Sequence, residues 1–156
     1  MIPPSISNYL AQRHVPFRAA HHPPGVTAQE IAAQAHISGR RFAKTVVLKR
    51  SGEPILAVLP ATERIDLERL GTLLGGRVTL AAEDEQDRLF PGCERGAMPP
   101  FGALYRLPVV VDADLASEER IVFNGGTHAD VIEMRWSDFV ALASPRVIEY
   151  AIRTRH

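Results

Sequence analysis

Residues 54 to 60 read Pro-Ile-Leu-Ala-Val-Leu-Pro, a run with no polar break. Side chains alternate between the two faces of a strand, so a run that is apolar throughout needs cover on both faces. Such a strand belongs at the centre of a sheet. The segment before it, residues 41 to 49, carries the β-branched Thr45, Val46 and Val47 and reads as a second strand, with Ser51-Gly52 as a tight connection. The pattern predicts a central hairpin. At 156 residues the chain is long enough to bury a core around that hairpin as one domain, residues 1–156, without disulfide or metal support.

Around the hairpin, short helices alternate irregularly with short strands. Ile6, Tyr9, Leu10 and Arg13 recur at helical spacing over residues 5 to 13, and Pro16 biases residues 15 to 20 towards extended backbone. Thr27-Ala28-Gln29-Glu30 has capping-box form and predicts a helix with Ile31, Ala32 and Ala35 on its apolar stripe, ended by Ser38-Gly39. Asp66 is placed to cap a helix carrying Leu67, Leu70, Leu73 and Leu74, with Gly75-Gly76 as its stop. Residues 78 to 80 read as a strand, 83 to 90 as an acidic helix, and 107 to 112 as a buried strand followed by a turn at Asp114-Leu115-Ala116. Residues 120 to 124 and 129 to 134 read as strands, and Ser137 as the cap of a last helix before Pro145. The tail, residues 147 to 152, is expected to pack back on the body. The tally is about six or seven strands with four or five short helices, without regular βαβ alternation. The expected class is therefore α+β, with a mixed, curved central β-sheet flanked by short helices.

Charge and composition remove several function classes. The formal net charge is +0, which argues against coating nucleic acid by bulk charge. A local basic span does exist, through His36, Arg40, Arg41, Lys44, Lys49 and Arg50. No apolar run reaches the length of a membrane span, and the first residues show neither a basic leader nor an apolar segment, so a cytoplasmic location is expected. Cys93, the single cysteine, excludes an intramolecular disulfide and multi-cysteine metal sites, and reads as a structural thiol. The pair His21-His22 has no acidic or sulfur ligand at suitable spacing, so a turn is expected there and no metal. The carboxylates of residues 83 to 87 are explained by a solvated first helical turn.

Three stretches carry candidate chemistry. On the first hairpin strand Phe42, Lys44, Val46 and Leu48 share one face, so a lysine lies in line with three apolar side chains. Its stem could snorkel to the sheet edge, or its ammonium could be held at a pocket wall, where burial would lower its pKa. Residues 96 to 102, Gly-Ala-Met-Pro-Pro-Phe-Gly, form a loop that is stiff at Pro99-Pro100, either a surface turn or a pocket built from backbone groups. Gly125-Gly126-Thr127-His128 joins two strands, with His128 just beyond the glycines.

Phe42-Ala43-Lys44-Thr45-Val46-Val47-Leu48, the loop from Gly96 to Gly102, and Asn124-Gly125-Gly126-Thr127-His128 occur in the order and spacing of the YbaK/ProX family. The chain resembles that family over roughly residues 20 to 145. Its members are similar to the editing domain inserted in bacterial prolyl-tRNA synthetases and hydrolyse the ester of mischarged aminoacyl-tRNA. The need is physical, since a synthetase pocket gains only about 1–3 kcal/mol from one methylene. The resemblance implies a trans-editing deacylase without cofactor or metal, acting on a small amino acid such as Cys or Ala on tRNA-Pro. Lys44 matches the family's required lysine. Gly96, Ala97, Met98, Pro99, Pro100, Phe101 and Gly102 match its Gly-x-x-x-Pro loop, which holds the aminoacyl group. Thr45, Gly125, Gly126 and His128 match further walls of the pocket. The attacking water would be assisted by the tRNA 2′-hydroxyl. Alanine-specific members carry asparagine where Thr45 stands, and the Lys-Thr pairing is closer to the YbaK branch, which prefers cysteinyl-tRNA. The implied partners are the acceptor end of aminoacyl-tRNA and prolyl-tRNA synthetase. Two alternatives remain: a binding module without turnover, and a regulatory partner of a synthetase.

Overall fold

In the computed structural model, which describes residues 1–23 and 37–153, helix α1 (Pro4–Arg13) leads into strand β1 (Arg18–His21). The central hairpin comes next as β2 (Ala43–Arg50) and β3 (Glu53–Pro60), in register from Ala43 opposite Pro60 to Arg50 opposite Glu53. Then come β4 (Glu63–Ile65), α2 (Leu67–Leu74), β5 (Val78–Leu80), α3 (Glu83–Leu89), α4 (Gly102–Tyr105), β6 (Val109–Asp112) and α5 (Ala113–Ala116). The chain ends in β7 (Arg120–Asn124), β8 (Asp130–Arg135), α6 (Trp136–Ala143), β9 (Arg146–Ile148) and β10 (Ala151–Arg153).

The hairpin lies inside a five-stranded mixed sheet of order β5-β2-β3-β6-β9, in which β6 runs parallel to both β3 and β9. Strand β3 is covered on both sides, as its composition demands. Leu56 and Val58 enter the main hydrophobic cluster, whereas Ile55, Ala57 and Leu59 enter a second one with Leu70, Leu74 and Val110. Tyr150 closes that second cluster, its buried hydroxyl placed to donate to the carbonyl of Val58 at 2.7 Å or of Val110 at 2.9 Å.

A three-stranded antiparallel sheet, β1-β8-β7, leaves the central sheet where Phe42 bridges Val122. One of its faces supplies Ile121, Phe123, Ile132 and Met134 to the main cluster. The other supplies Val122 and Val131 to a third, smaller cluster with Phe42 and Ala61. Strands β4 and β10 pair by themselves.

The α+β class with a mixed sheet is what the sequence predicts, and all seven expected strands are present. The structure adds β4, β9 and β10, each of three residues and too short to show alternation. Two local expectations are corrected. The turn at Asp114-Leu115-Ala116 is one helical turn, because the Asp112 carboxylate accepts from the Asp114 N–H at 3.0 Å and caps it. Ser137 is not a cap: β8 runs straight into α6, Arg135 occupies the cap position, and the Trp136 N–H donates to the Glu119 carbonyl at 2.9 Å. The helix expected from Thr27, with Ile31, Ala32 and Ala35, lies outside the described residues, as does His36. Among the described residues no helix is long and apolar enough to cross a membrane.

Candidate active site

Strand alternation positions the lysine. Ala43 and Val47 point into the main cluster, so Lys44 points the other way, opposite Leu59 in the register and in line with Val46 and Leu48 of the second cluster. Lys44 is partly buried, and burial pulls its pKa below the ordinary lysine value, with Glu63 acting in the opposite direction. Among the described residues no ion pair engages its ammonium. Thr45 lies on the opposite face from Lys44, with its Oγ1 buried and without a partner among the described residues.

Near this face Glu63, Asp112 and Asp114 bring one carboxylate oxygen each to within 4.8 Å of one another. Glu63 is buried, and Arg153 Nε lies 3.5 Å from both Glu63 Oε1 and Asp114 Oδ2. Burial, reinforced by the hydrogen bond to Asp114 and by the neighbouring carboxylates, raises the Glu63 carboxyl to about 8. A carboxyl raised on folding contributes stability that is complete below its unfolded pKa and is lost as pH rises through its folded one. Glu63→Gln, which stays neutral, should therefore unfold at about the wild-type temperature at pH 5. It should gain roughly 3–6 °C over wild type by pH 9. Thermal unfolding across that range checks it, and a difference independent of pH would contradict it.

The loop at 96–102 is held from two sides. Ala97, Met98, Pro99, Pro100, Phe101 and Gly102 are buried, with Met98 and Phe101 in the main cluster and Phe101 packed edge-on against Phe123 at 5.2 Å. These side chains anchor the loop inward. From outside, the turn after β7 clasps it: Gly126 N–H donates to the Ala97 carbonyl at 2.9 Å, and Glu94 N–H to the Gly126 carbonyl at 2.8 Å. His128 completes the clasp, its main-chain N–H donating to Glu94 Oε1 at 2.8 Å and its Nε2 lying 2.7 Å from the Arg95 carbonyl. A carbonyl can only accept, so Nε2 carries the proton, and Nδ1 is a buried acceptor without a partner among the described residues. Arg95 is in turn held by Glu83 and Asp87 of α3, at 2.6 Å each. Two carboxylates of the acidic helix thus pair with a loop arginine.

The clasping turn has its own support. Asp130, buried at the start of β8, accepts from the Thr127 hydroxyl at 2.6 Å, lies 3.0 Å from His21 Nδ1 and pairs with the terminal amino group at 2.8 Å. Burial opposes its charge, yet these hydrogen bonds hold its carboxyl down at about 2. Gly126 has φ +96°, and a Cβ there would meet Ile6 of α1 and Pro3 just before it at 2.8 Å, so the turn admits no side chain at this point.

The structure therefore joins the residues expected at 96–102 and 125–128 into one bonded unit. Lys44 reaches that unit through the sheet: Phe42 bridges Val122, and β7 runs on into Gly125. Among the described residues no hydrogen bond connects Lys44 to either loop. Cys93 lies beside the loop, but its Sγ contacts the Tyr105 hydroxyl at 3.3 Å and burial pushes its thiol pKa up, away from nucleophilic chemistry. Sequence reasoning did not single out Glu94, Asp130 or Glu63. The burial and the shifted titration of the last two depend on partners distant in the chain, which no local pattern shows.

Comparison with known proteins places this geometry. The model of the aminoacyl-tRNA editing domain matches residues 22–142. A curated Escherichia coli (strain K12) protein, the multifunctional Ser/Thr-tRNA deacylase ProXp-y, is 29% identical over 147 residues, covering 90% of this chain and 87% of that protein. A crystal structure described as a putative trans-editing enzyme for prolyl tRNA synthetase superposes with a TM-score of 0.84 at 24% identity, covering 97% and 99% of the two chains. That of the hypothetical protein APE2540 gives 0.85 at 23% identity, covering 95% and 99%. At these identities the two solved structures bear on the fold.

Proposed function

The chain belongs to the aminoacyl-tRNA editing domain family, and on that basis we propose that it acts in trans as a deacylase, cleaving the ester between a small amino acid and the terminal adenosine of tRNA. The observation that carries this reading is Lys44, a partly buried ammonium on an apolar strand face, without an ion pair among the described residues. A cation partly shielded from water and without a paired carboxylate among the described residues is suited to an anionic or developing anionic group. In the proposed reaction water attacks the ester carbonyl and the carbonyl oxygen becomes an oxyanion, which Lys44 stabilises. The 3′-oxygen then leaves with a proton, giving free amino acid and tRNA. The 2′-hydroxyl of the substrate positions the water. The loop at 96–102, held rigidly by its clasp, limits the size of the aminoacyl group.

Alanine, cysteine, serine and threonine fall within that size class, and the name of the Escherichia coli relative points to the last two. Transfer RNA for proline and an association with prolyl-tRNA synthetase belong to the same proposal. The test is a panel of tRNA-Pro charged with alanine, cysteine, serine, threonine or proline. At least one small ester should be hydrolysed well above its spontaneous rate while the prolyl ester is spared. No acceleration with any of them would overturn the reading.

A further inference from the structure

Two buried acceptors beside the clasping turn have no donor among the described residues. His22 is 7% exposed, and its Nδ1 lies 2.6 Å from the Pro23 carbonyl. That carbonyl can only accept, so Nδ1 carries the proton and Nε2 presents a lone pair. Nε2 is buried and has no partner among the described residues. Asn124 is 5% exposed, and its Oδ1 is likewise buried without a partner among the described residues.

The strand register puts both on one face of the three-stranded sheet. Ala20 faces Val131 and Val131 faces Asn124 across the ladder, and His22 lies two residues beyond Ala20 on the same side. This is the face that carries Val122 and Val131, against Phe42. His22 is tied to the turn by its N–H donating to the Ala129 carbonyl at 2.7 Å, and Asn124 directly precedes Gly125.

An acceptor buried among apolar groups without a donor costs about 1–3 kcal/mol. Two of them beside the turn that clasps the 96–102 loop call for a ligand that brings N–H or O–H groups. A phosphodiester brings only acceptors and would leave both unsatisfied. An aminoacyl ester brings an α-ammonium and, when the amino acid is serine or threonine, a side-chain hydroxyl. We propose that His22 and Asn124 select hydroxyl-bearing aminoacyl groups, His22 Nε2 accepting from the side-chain hydroxyl and Asn124 Oδ1 from the α-ammonium. This rests on the deacylase reading and adds to it a principle of selection other than size. Alanine fits the same space but leaves His22 Nε2 buried and unpaired, and the thiol of cysteine is a weak donor. A site built to bond a hydroxyl rejects the analogue lacking it far more strongly than a size filter can.

The experiment measures binding of seryl and alanyl groups joined by a stable amide to 3′-amino-3′-deoxyadenosine, by calorimetry, so that no hydrolysis is needed. The wild-type protein should prefer the seryl compound by about tenfold or more. His22→Phe should bring the two affinities close together. His22→Gln, which restores an acceptor, should keep part of the preference and guards against a folding defect in the first variant. Asn124→Leu should weaken both compounds alike, since both carry the ammonium. Equal binding by the wild-type protein, or a preference that survives in His22→Phe, would overturn the proposal. The two readings fail separately. Seryl preference without hydrolysis of any ester removes the deacylase and leaves the selection, and hydrolysis without seryl preference does the reverse.

Discussion

Lys44→Ala is expected to lower kcat/KM for the preferred aminoacyl-tRNA by roughly 10²–10³-fold, the usual cost of removing one stabiliser of a developing oxyanion. The loss should fall mainly on kcat, because the oxyanion that the proposed mechanism assigns to Lys44 exists only in the transition state. Lys44→Arg keeps the charge but places a planar, larger group on a strand face shared with Val46 and Leu59, and should recover little. The pH profile gives a second readout. Burial lowers the Lys44 pKa, so the charged form disappears at a lower pH than for an exposed lysine. The ratio of enzymatic to spontaneous hydrolysis should therefore begin to fall below the ordinary lysine pKa as pH rises. Full activity in Lys44→Ala, with unchanged thermal unfolding, would remove Lys44 from the chemistry.

Gly102→Ala should act on the fold. Gly102 opens α4, and its carbonyl accepts from the Leu107 N–H at 2.8 Å. A Cβ at this position would run into the Leu107 carbonyl oxygen and Val109 Cγ2. The first is backbone, and the second belongs to β6, locked in register beside β3 with Leu56 opposite Val109. Neither can give way without moving the loop or the central sheet. Overpacking of a well-packed interior costs about 1–3 kcal/mol and occasionally more. With the upper figure, the midpoint of thermal unfolding should fall by roughly 6–12 °C for a chain of this size. Activity measured well below that midpoint should be largely retained. An unchanged midpoint with lost activity would instead return Gly102 to the substrate-contacting role that the family resemblance implies.

The two glycines that bracket the loop illustrate the reach of sequence reading. Residues 96 to 102 announce a stiff segment because proline and glycine act on their own backbone, whatever surrounds them. What each residue does depends on neighbours far along the chain. Met98 and Phe101 are interior anchors, Gly96 is exposed, and Gly102 is a point of close approach. His128 shows the same limit: its place after Gly125-Gly126 is legible, but its bond to the Arg95 carbonyl, which occupies Nε2, depends on the clasp.

Local periodicity, with its direct consequences, is written in the chain itself. A run apolar at every position forces β3 to the centre of a sheet, and alternation in β2 sets Lys44 and Thr45 on opposite faces. Both rest on geometry repeated every two residues. Which separate pieces meet is settled only on folding. Glu63, Asp112 and Asp114 come together from β4, β6 and α5, and the burial of Glu63 beside the other two carboxylates, not their spacing, raises the Glu63 carboxyl. His22 and Asn124 share a sheet face because β8 lies between β1 and β7 in one register, and a slip of one residue would turn Asn124 to the opposite face. Burial and the absence of a donor are properties of that assembled face, and no stretch of chain carries them alone.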